Sequence, residues 1–270
     1  MLEKPRLLGH PTIKKTMSIV AAGNNTCFML SDDTVRYWGR NMDGQLGDGT
    51  TFDSSTPVTV VGISDAISIG VGFRHSCAVI SGGKIKCWGF NFFGQLENGT
   101  SNSSSTPVLV DGISNAVSIS LGRLHTCALL TGGSLKCWGD NNAWQLGSPI
   151  ITPSGLFNFS SVPLLIEEII DAVDVASGAN HSCALIVNGM IECWGINFFG
   201  ELGNRIILGS HVPVNVTGIS TATSISATLF HNCARLSDGT IKCWGNNQFG
   251  QLGNGTTTNS ISPVDVMKFQ

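Results

Sequence analysis

Residues 121–147 read LGRLHTCALLTGGSLKCWGDNNAWQLG, and the middle of this stretch decides the fold. Two short runs, HTCALL (125–130) and SLKCWG (134–139), are separated only by Thr131-Gly132-Gly133. A three-residue link with glycine last suits a type I turn followed by a glycine bulge, so the runs are predicted to pair antiparallel. Upstream lie TPVLV (106–110) and AVSISLG (116–122), also short and bounded by Gly, Asn or Ser, as strands are. Four short strands make one unit.

That unit recurs. Trp-Gly pairs stand at Trp38, Trp88, Trp138, Trp194 and Trp244, at intervals of 50, 50, 56 and 50 residues. Seven residues after each Trp come Gln45, Gln95, Gln145, Glu201 and Gln251, each followed by Leu. Prolines recur in phase at Pro57, Pro107, Pro163, Pro213 and Pro263. The six extra residues of the third copy fall in SPIITPSGLFNFSSV, a loop insertion of the kind a repeat fold tolerates. Ser81-Gly82-Gly83, Val187-Asn188-Gly189 and Ser237-Asp238-Gly239 repeat the central turn. The expected fold is all-β, a β-propeller of four-stranded blades with about five repeats. Residues 1–270 form one domain, with repeats near 17–66, 67–116, 117–172, 173–222 and 223–270. Residues 1–16 are an N-terminal outer strand and lead-in.

The recurring pattern G-x-x-H-[ST]-C-A-L … G-x-[IL]-K-C-W-G-x-N-x-x-G-Q-L-G resembles the regulator-of-chromosome-condensation repeat, met five times from Met17 to Gln270. The resemblance implies a propeller, in that family usually of about seven blades. Five copies depart from this and leave open a closed ring, an open arc or part of a larger assembly. Pro5-Arg6-Leu7-Leu8 and Pro263-Val264-Asp265-Val266 both match the outer strand, so one copy of it is surplus. Closure within the chain is favoured over strand exchange with another molecule.

Eight of the nine cysteines fall in pairs ten positions apart: Cys77 with Cys87, Cys127 with Cys137, Cys183 with Cys193, and Cys233 with Cys243. Each pair is centred on a turn residue. Hairpin symmetry sets the members opposite each other, roughly 4.5–5.5 Å apart at Cα, within disulfide reach. The first copy holds Cys27 and Tyr37 instead, which makes Cys27 a free thiol. Three readings stand. Disulfides lead and would place the protein in an extracellular or other oxidising compartment. His75, His125, His181 and His231, each two residues before a cysteine, would allow zinc. Small buried hydrophobes are the bland reading. The commitment is to disulfides and to no metal. Sequons at Asn24, Asn98, Asn102, Asn158, Asn215 and Asn254 are possible N-glycan sites and lend weak support to secretion.

Charged residues are only 12% of the chain and net charge is −3, with no basic run, which argues against nucleic-acid binding. No apolar stretch is long enough to span a membrane, and no leader is visible in this numbering. No P-loop, nucleophile elbow, HExxH or dinucleotide fingerprint is present, so neither enzyme activity nor a cofactor is expected. The recurring His, Trp and Asn41, Asn91, Asn141, Asn197 and Asn247 read as scaffold, and Phe93, Phe199 and Phe249, in a place that the family resemblance implies is often aromatic, are expected in the core. Function should lie where the copies differ. Those positions precede the histidines or follow Trp-Gly, and the contact candidates are Arg40, Met42, Phe73, Arg74, Phe90, Phe92, Arg123, Phe198 and Phe230. Aromatic and Arg residues are common interface anchors. The leading expectation is an extracytoplasmic, non-catalytic module that binds a protein partner or copies of itself. An intracellular chromatin- or GTPase-regulating propeller and a carbohydrate-binding propeller are the alternatives.

Overall fold

Each repeat begins with a short strand whose side chains alternate between two packed faces, and glycine-bearing turns fold the next three strands against it. In the computed structural model, which describes residues 16–148 and 158–267, twenty strands form five antiparallel sheets of four. The first blade is β1 (Thr16–Ala22), β2 (Asn25–Leu30), β3 (Val35–Gly39) and β4 (Ser54–Thr59). The second is β5 (Ala66–Val71), β6 (His75–Ile80), β7 (Lys84–Gly89) and β8 (Ser104–Leu109). The third is β9 (Ala116–Leu121), β10 (His125–Leu130), β11 (Leu135–Asp140) and β12 (Phe159–Leu165). The fourth is β13 (Ala172–Ser177), β14 (His181–Ile186), β15 (Ile191–Gly195) and β16 (Ser210–Asn215). The fifth is β17 (Ala222–Ala227), β18 (His231–Leu236), β19 (Ile241–Gly245) and β20 (Ser260–Asp265). The chain is an all-β propeller of five four-stranded blades. The proposed Pro5–Leu8 strand lies outside the described residues.

Register follows from the turns. His125 pairs with Gly139, and Cys127 with Cys137, around the Thr131–Gly133 loop. Cys183 faces Cys193 in the same way across the β14–β15 hairpin. Gly133 adopts the positive φ, 83°, that the bulge requires; Gly132 at 91° corrects the expected type I turn, because a positive φ at the third position of the Leu130–Gly133 turn is that of type II, open to glycine. The first strand of every blade lines one central opening of about 500 Å³.

The core lies between blades rather than within them. Four clusters each take one half from one blade and the other half from the next. Cys77, Val79, Ile85 and Cys87 of the second blade, for example, pack on Ile119, Ala128 and Trp138 of the third. The other clusters join the first blade to the second, the third to the fourth and the fourth to the fifth. Every blade thus has a trailing face carrying the His and Cys positions and a leading face carrying the Trp. Trp88, Trp138, Trp194 and Trp244 are fully buried, and each donates its indole N–H at 2.9 Å to the preceding blade's Gln45, Gln95, Gln145 or Glu201 carbonyl. Trp38, on the leading face of the first blade, is half-buried.

Candidate functional site

The pairing of His75 with Gly89 sets the loop before each β6-type strand beside the loop that follows Trp-Gly, and Phe90 N–H bonds the Arg74 carbonyl at 2.9 Å. Both sets of variable positions therefore share one end of the blades. The hairpin turns occupy the other end.

Beneath this face three of the repeated histidines tie one blade to the next. Nε2 of His75 meets Thr126 Oγ1 at 2.8 Å, His125 meets Ser182 Oγ at 2.9 Å, and His181 meets Asn232 Oδ1 at 2.8 Å. Each bond reaches the next blade. Ser182 Oγ already donates to the Gln145 carbonyl, and Asn232 Nδ2 to the Glu201 carbonyl, so His125 and His181 donate through Nε2–H. Burial pushes the pKa of His75 and His125 down to about 3 and that of His181 to about 4. The rings are neutral. The loop asparagines behave alike: Asn91 Oδ1 accepts the Leu96 N–H at 2.8 Å, while its amide donates to the Thr100 and Asn102 carbonyls.

All four expected cysteine pairs have their sulfurs at disulfide distance. Cα separations are 4.0 Å for Cys77 with Cys87, 4.1 Å for Cys127 with Cys137, 4.0 Å for Cys183 with Cys193, and 4.1 Å for Cys233 with Cys243. The pairing expected from the spacing holds, but the separation is corrected downward. The strands at each pair approach slightly more closely than the 4.5 Å at the short end of that expectation. Cys183 and Cys193 are both fully buried, in the cluster shared by the fourth and fifth blades. Cys27 is buried opposite Tyr37, and burial raises its thiol pKa to about 12, so it is an inert thiol. Among the described residues no group of three or more His, Cys, Asp or Glu is placed to hold a metal. Asn98 and Asn254 are tied down. Each Oδ1 accepts from the backbone and hydroxyl of the Thr two residues on, a turn bond that itself produces the Asn-Gly-Thr spelling. Asn24, Asn102 and Asn215 are exposed.

The contact candidates divide. Arg74 is half-exposed but engaged: its guanidinium grips Asp43 of the preceding blade at 2.6 and 2.8 Å and lies 3.8 Å over the Phe90 ring. Phe90 stacks on Phe92, which meets Phe93 edge-on at 5.1 Å, and Phe93 reaches Phe159 of the third blade. Phe92 remains exposed at the top of this row, beside a 200 Å³ hollow formed with Gly99, Thr100 and Phe159. Phe198 is 76% exposed, while Phe230 packs on Phe199 across the blade boundary. Met42 and Arg123 are exposed, Arg40 is half-buried, and Phe73 and Arg123 sit at the rim of the central opening.

A second expectation is corrected. Phe249 is not core: it is 90% exposed. Phe93 and Phe199 lean on the following blade, and among the described residues Phe249 has no such neighbour. Sequence reading also missed Trp144 as a surface group. It occupies the glycine position at φ 64°, is 45% exposed and meets His211 edge-on. Its signal in the sequence is a tryptophan where the other four copies have Gly44, Gly94, Gly200 and Gly250.

A family model described as the RCC1-like domain matches residues 2–270. A search of curated proteins gave no match. Among solved structures, human WBSCR16 is similar over 94% of this chain and 68% of its own, at 20% identity and a TM-score of 0.83. Prp20p of Saccharomyces cerevisiae, described with its binding to Gsp1p and histones, matches 94% of this chain and 64% of its own, at 21% identity and a TM-score of 0.81. The ectodomain of the Physcomitrella patens receptor kinase CR4 covers 88% of this chain and 54% of its own, at 21% identity and 0.53. The chain thus spans about two-thirds of the length of the first two. At these identities the likeness is one of fold.

Proposed function

The chain belongs to the RCC1-like domain family, and from that premise we propose that it is a non-catalytic binding module whose partner is a protein. The observation that carries this reading is the loop face, where Phe92, Phe198, Met42 and Trp144 stand exposed above histidines bonded from blade to blade. Aromatic side chains on a rigid scaffold supply interface area at small entropic cost. The face holds few charges, which favours apolar docking over electrostatic capture.

A double variant, Phe92→Asp with Phe198→Asp, tests it. Both residues are exposed, so folding should persist, and a protein captured from the source by the natural chain should be lost. Capture must survive Lys84→Glu, on the opposite end. Equal capture by natural and double-variant protein would sink this reading.

The paired cysteines support an oxidising compartment. Alkylation and intact mass of native protein should show eight blocked thiols and one buried Cys27; eight or nine free thiols would place the protein in a reducing compartment. That outcome would favour the second reading, for which the likeness to Prp20p speaks: an intracellular propeller that regulates a small GTPase. Its test is acceleration of nucleotide release from such a GTPase.

A further inference from the structure

The loop joining β15 to β16 departs from its counterparts in its side chains. In the second blade it reads Gly99-Thr100-Ser101-Asn102 and in the fifth Gly255-Thr256-Thr257-Thr258, but in the fourth it reads Arg205-Ile206-Ile207-Leu208. Ile206 is 51% exposed, Ile207 63% and Leu208 73%. Two aromatic side chains stand beside them. Trp144 lies against Gly209, where an added Cβ would come within 3.1 Å of its six-membered ring. Phe198, exposed, occupies the place that Phe92 has in the second blade. There Phe92 shares a hollow with Gly99, Thr100 and Ser101, the counterparts of Arg205, Ile206 and Ile207.

The backbone of this apolar tip is held in place. Asn197 Nδ2 donates to the Ile206 and Leu208 carbonyls at 2.7 and 3.1 Å, and Asn204 Oδ1 accepts the Ile206 N–H at 3.2 Å. The Arg205 N–H reaches the Ile261 carbonyl of the fifth blade at 2.9 Å. These groups keep their partners when water is withdrawn, so the tip can enter an apolar medium without leaving them unpaired. Arg205 is held at φ 65°, where the second and fifth copies have glycine, a conformation that costs an ordinary side chain energy. Among the described residues no carboxylate pairs with its guanidinium. Across the loop end of the third, fourth and fifth blades the described acidic residues are Asp140 and Glu201, both buried, whereas Arg123 and Arg205 are exposed. That part of the surface is locally cationic although the chain carries a net charge of −3.

We infer that this loop docks the propeller on an anionic lipid surface. Ile206, Ile207, Leu208 and Phe198 enter the acyl region, Trp144 sits at the level of the headgroups, and Arg205 meets a lipid phosphate. Charge and shape both favour lipid. A bare guanidinium with no exposed carboxylate near it complements anionic headgroups, and a fluid apolar medium covers three successive exposed side chains at once, which one protein groove does not. Interfacial binding grows with buried apolar area and with attraction between cations and anionic lipid, and tryptophan favours the boundary between the two. Phe92 and Met42 lie on other blades, so the protein-binding reading stands or falls separately.

The test is co-sedimentation with vesicles of phosphatidylcholine alone and of equal parts phosphatidylcholine and phosphatidylglycerol. The natural chain should bind the mixed vesicles, and phosphatidylcholine alone several-fold less. Ile206→Thr, Ile207→Thr and Leu208→Thr together give the fifth blade's own spelling, so the fold should persist while binding weakens about tenfold or more. Should that variant unfold, Arg205→Gly takes its place and must lower binding to the level of phosphatidylcholine alone. Brominated acyl chains should quench tryptophan emission of the bound natural chain, and Trp144→Gly, the residue of the other copies, should remove that quenching. Lys84→Glu, on the opposite end, should change nothing. Absence of binding to mixed vesicles, equal binding to both kinds, undiminished binding by the loop variants, or quenching that survives Trp144→Gly would overturn the inference. So would a protein captured through Ile206, Ile207 and Leu208 by a chain that ignores the vesicles, which would make the loop a protein contact.

Discussion

His125 shows how closely single residues are fitted. Its ring lies against Gly122, where an added Cβ would fall on the imidazole itself. Gly72 and Gly178 stand in the same relation to His75 and His181, whereas Thr228 holds that place beside His231, which has left the pattern. Gly122→Ala should therefore destabilise by about 2 kcal/mol or more through overpacking, read as a lowered denaturant midpoint. The buried histidines also fix the acid limb of stability. Their folded pKa values lie below the ordinary value of 6.5, so the unfolded chain binds more protons below that pH. Stability is complete above pH 6.5 and falls as pH drops toward 5, by up to about 1.4 kcal/mol per pH unit for each histidine. Burial raises the carboxyl pKa values of Asp140, Asp174 and Glu201, and these act in the opposite direction. Denaturant midpoints at pH 7.5 and 5 should show the net loss. Glu201 stands where four blades have Gln; its Oε2 accepts the Phe199 N–H as Gln95 does for Phe93, and its Oε1 is buried without a partner. Glu201→Gln should raise stability at pH 7.5 by on the order of 1 kcal/mol and leave it little changed at pH 4, checked by the same titrations.

At the scale of the strand pair, the hairpin with its cysteines is the unit that repeats. Each pair closes a short loop, and in the chain-entropy account a bridge of this span contributes roughly 2.5–3 kcal/mol. Replacing Cys127 and Cys137 together with Ala should cost about that much in urea unfolding, less whatever the alanines recover by packing. Loss near zero would mean that the pair acts as small hydrophobes. The first blade supplies the natural contrast, because Tyr37 fills the second cysteine's place and donates its hydroxyl to the Gly70 carbonyl of the next blade at 3.2 Å. There an interblade bond replaces an intrablade link.

At the scale of the molecule, stability is a chain of nearest-neighbour interfaces. Blades two to four are covered on both faces, as the wholly buried strands β6 and β10 show, whereas β2 and β18 are buried on one face only. Unfolding should therefore begin at the two end blades. Pulsed amide exchange in increasing denaturant checks this, with β18 and β2 opening before β10; simultaneous loss across all five blades would contradict it.

Sequence by itself determined the period, the antiparallel hairpins, the opposed cysteines and the placing of variable residues on one face. These depend on turn chemistry and on two-residue alternation, which act within about ten residues. It could not say that Phe249 is exposed while Phe93 and Phe199 lean on a neighbour, nor that Arg74 is held by Asp43 of another blade. All three phenylalanines share one local spelling, and their burial depends on whether a further blade follows. The trailing cysteine face shows the same division. Spacing set Cys183 opposite Cys193 and Cys233 opposite Cys243 alike. Only tertiary packing decided that Cys183 is fully buried while Cys233 keeps part of its surface accessible, because the cover over Cys183 comes from the fifth blade, residues distant in the chain.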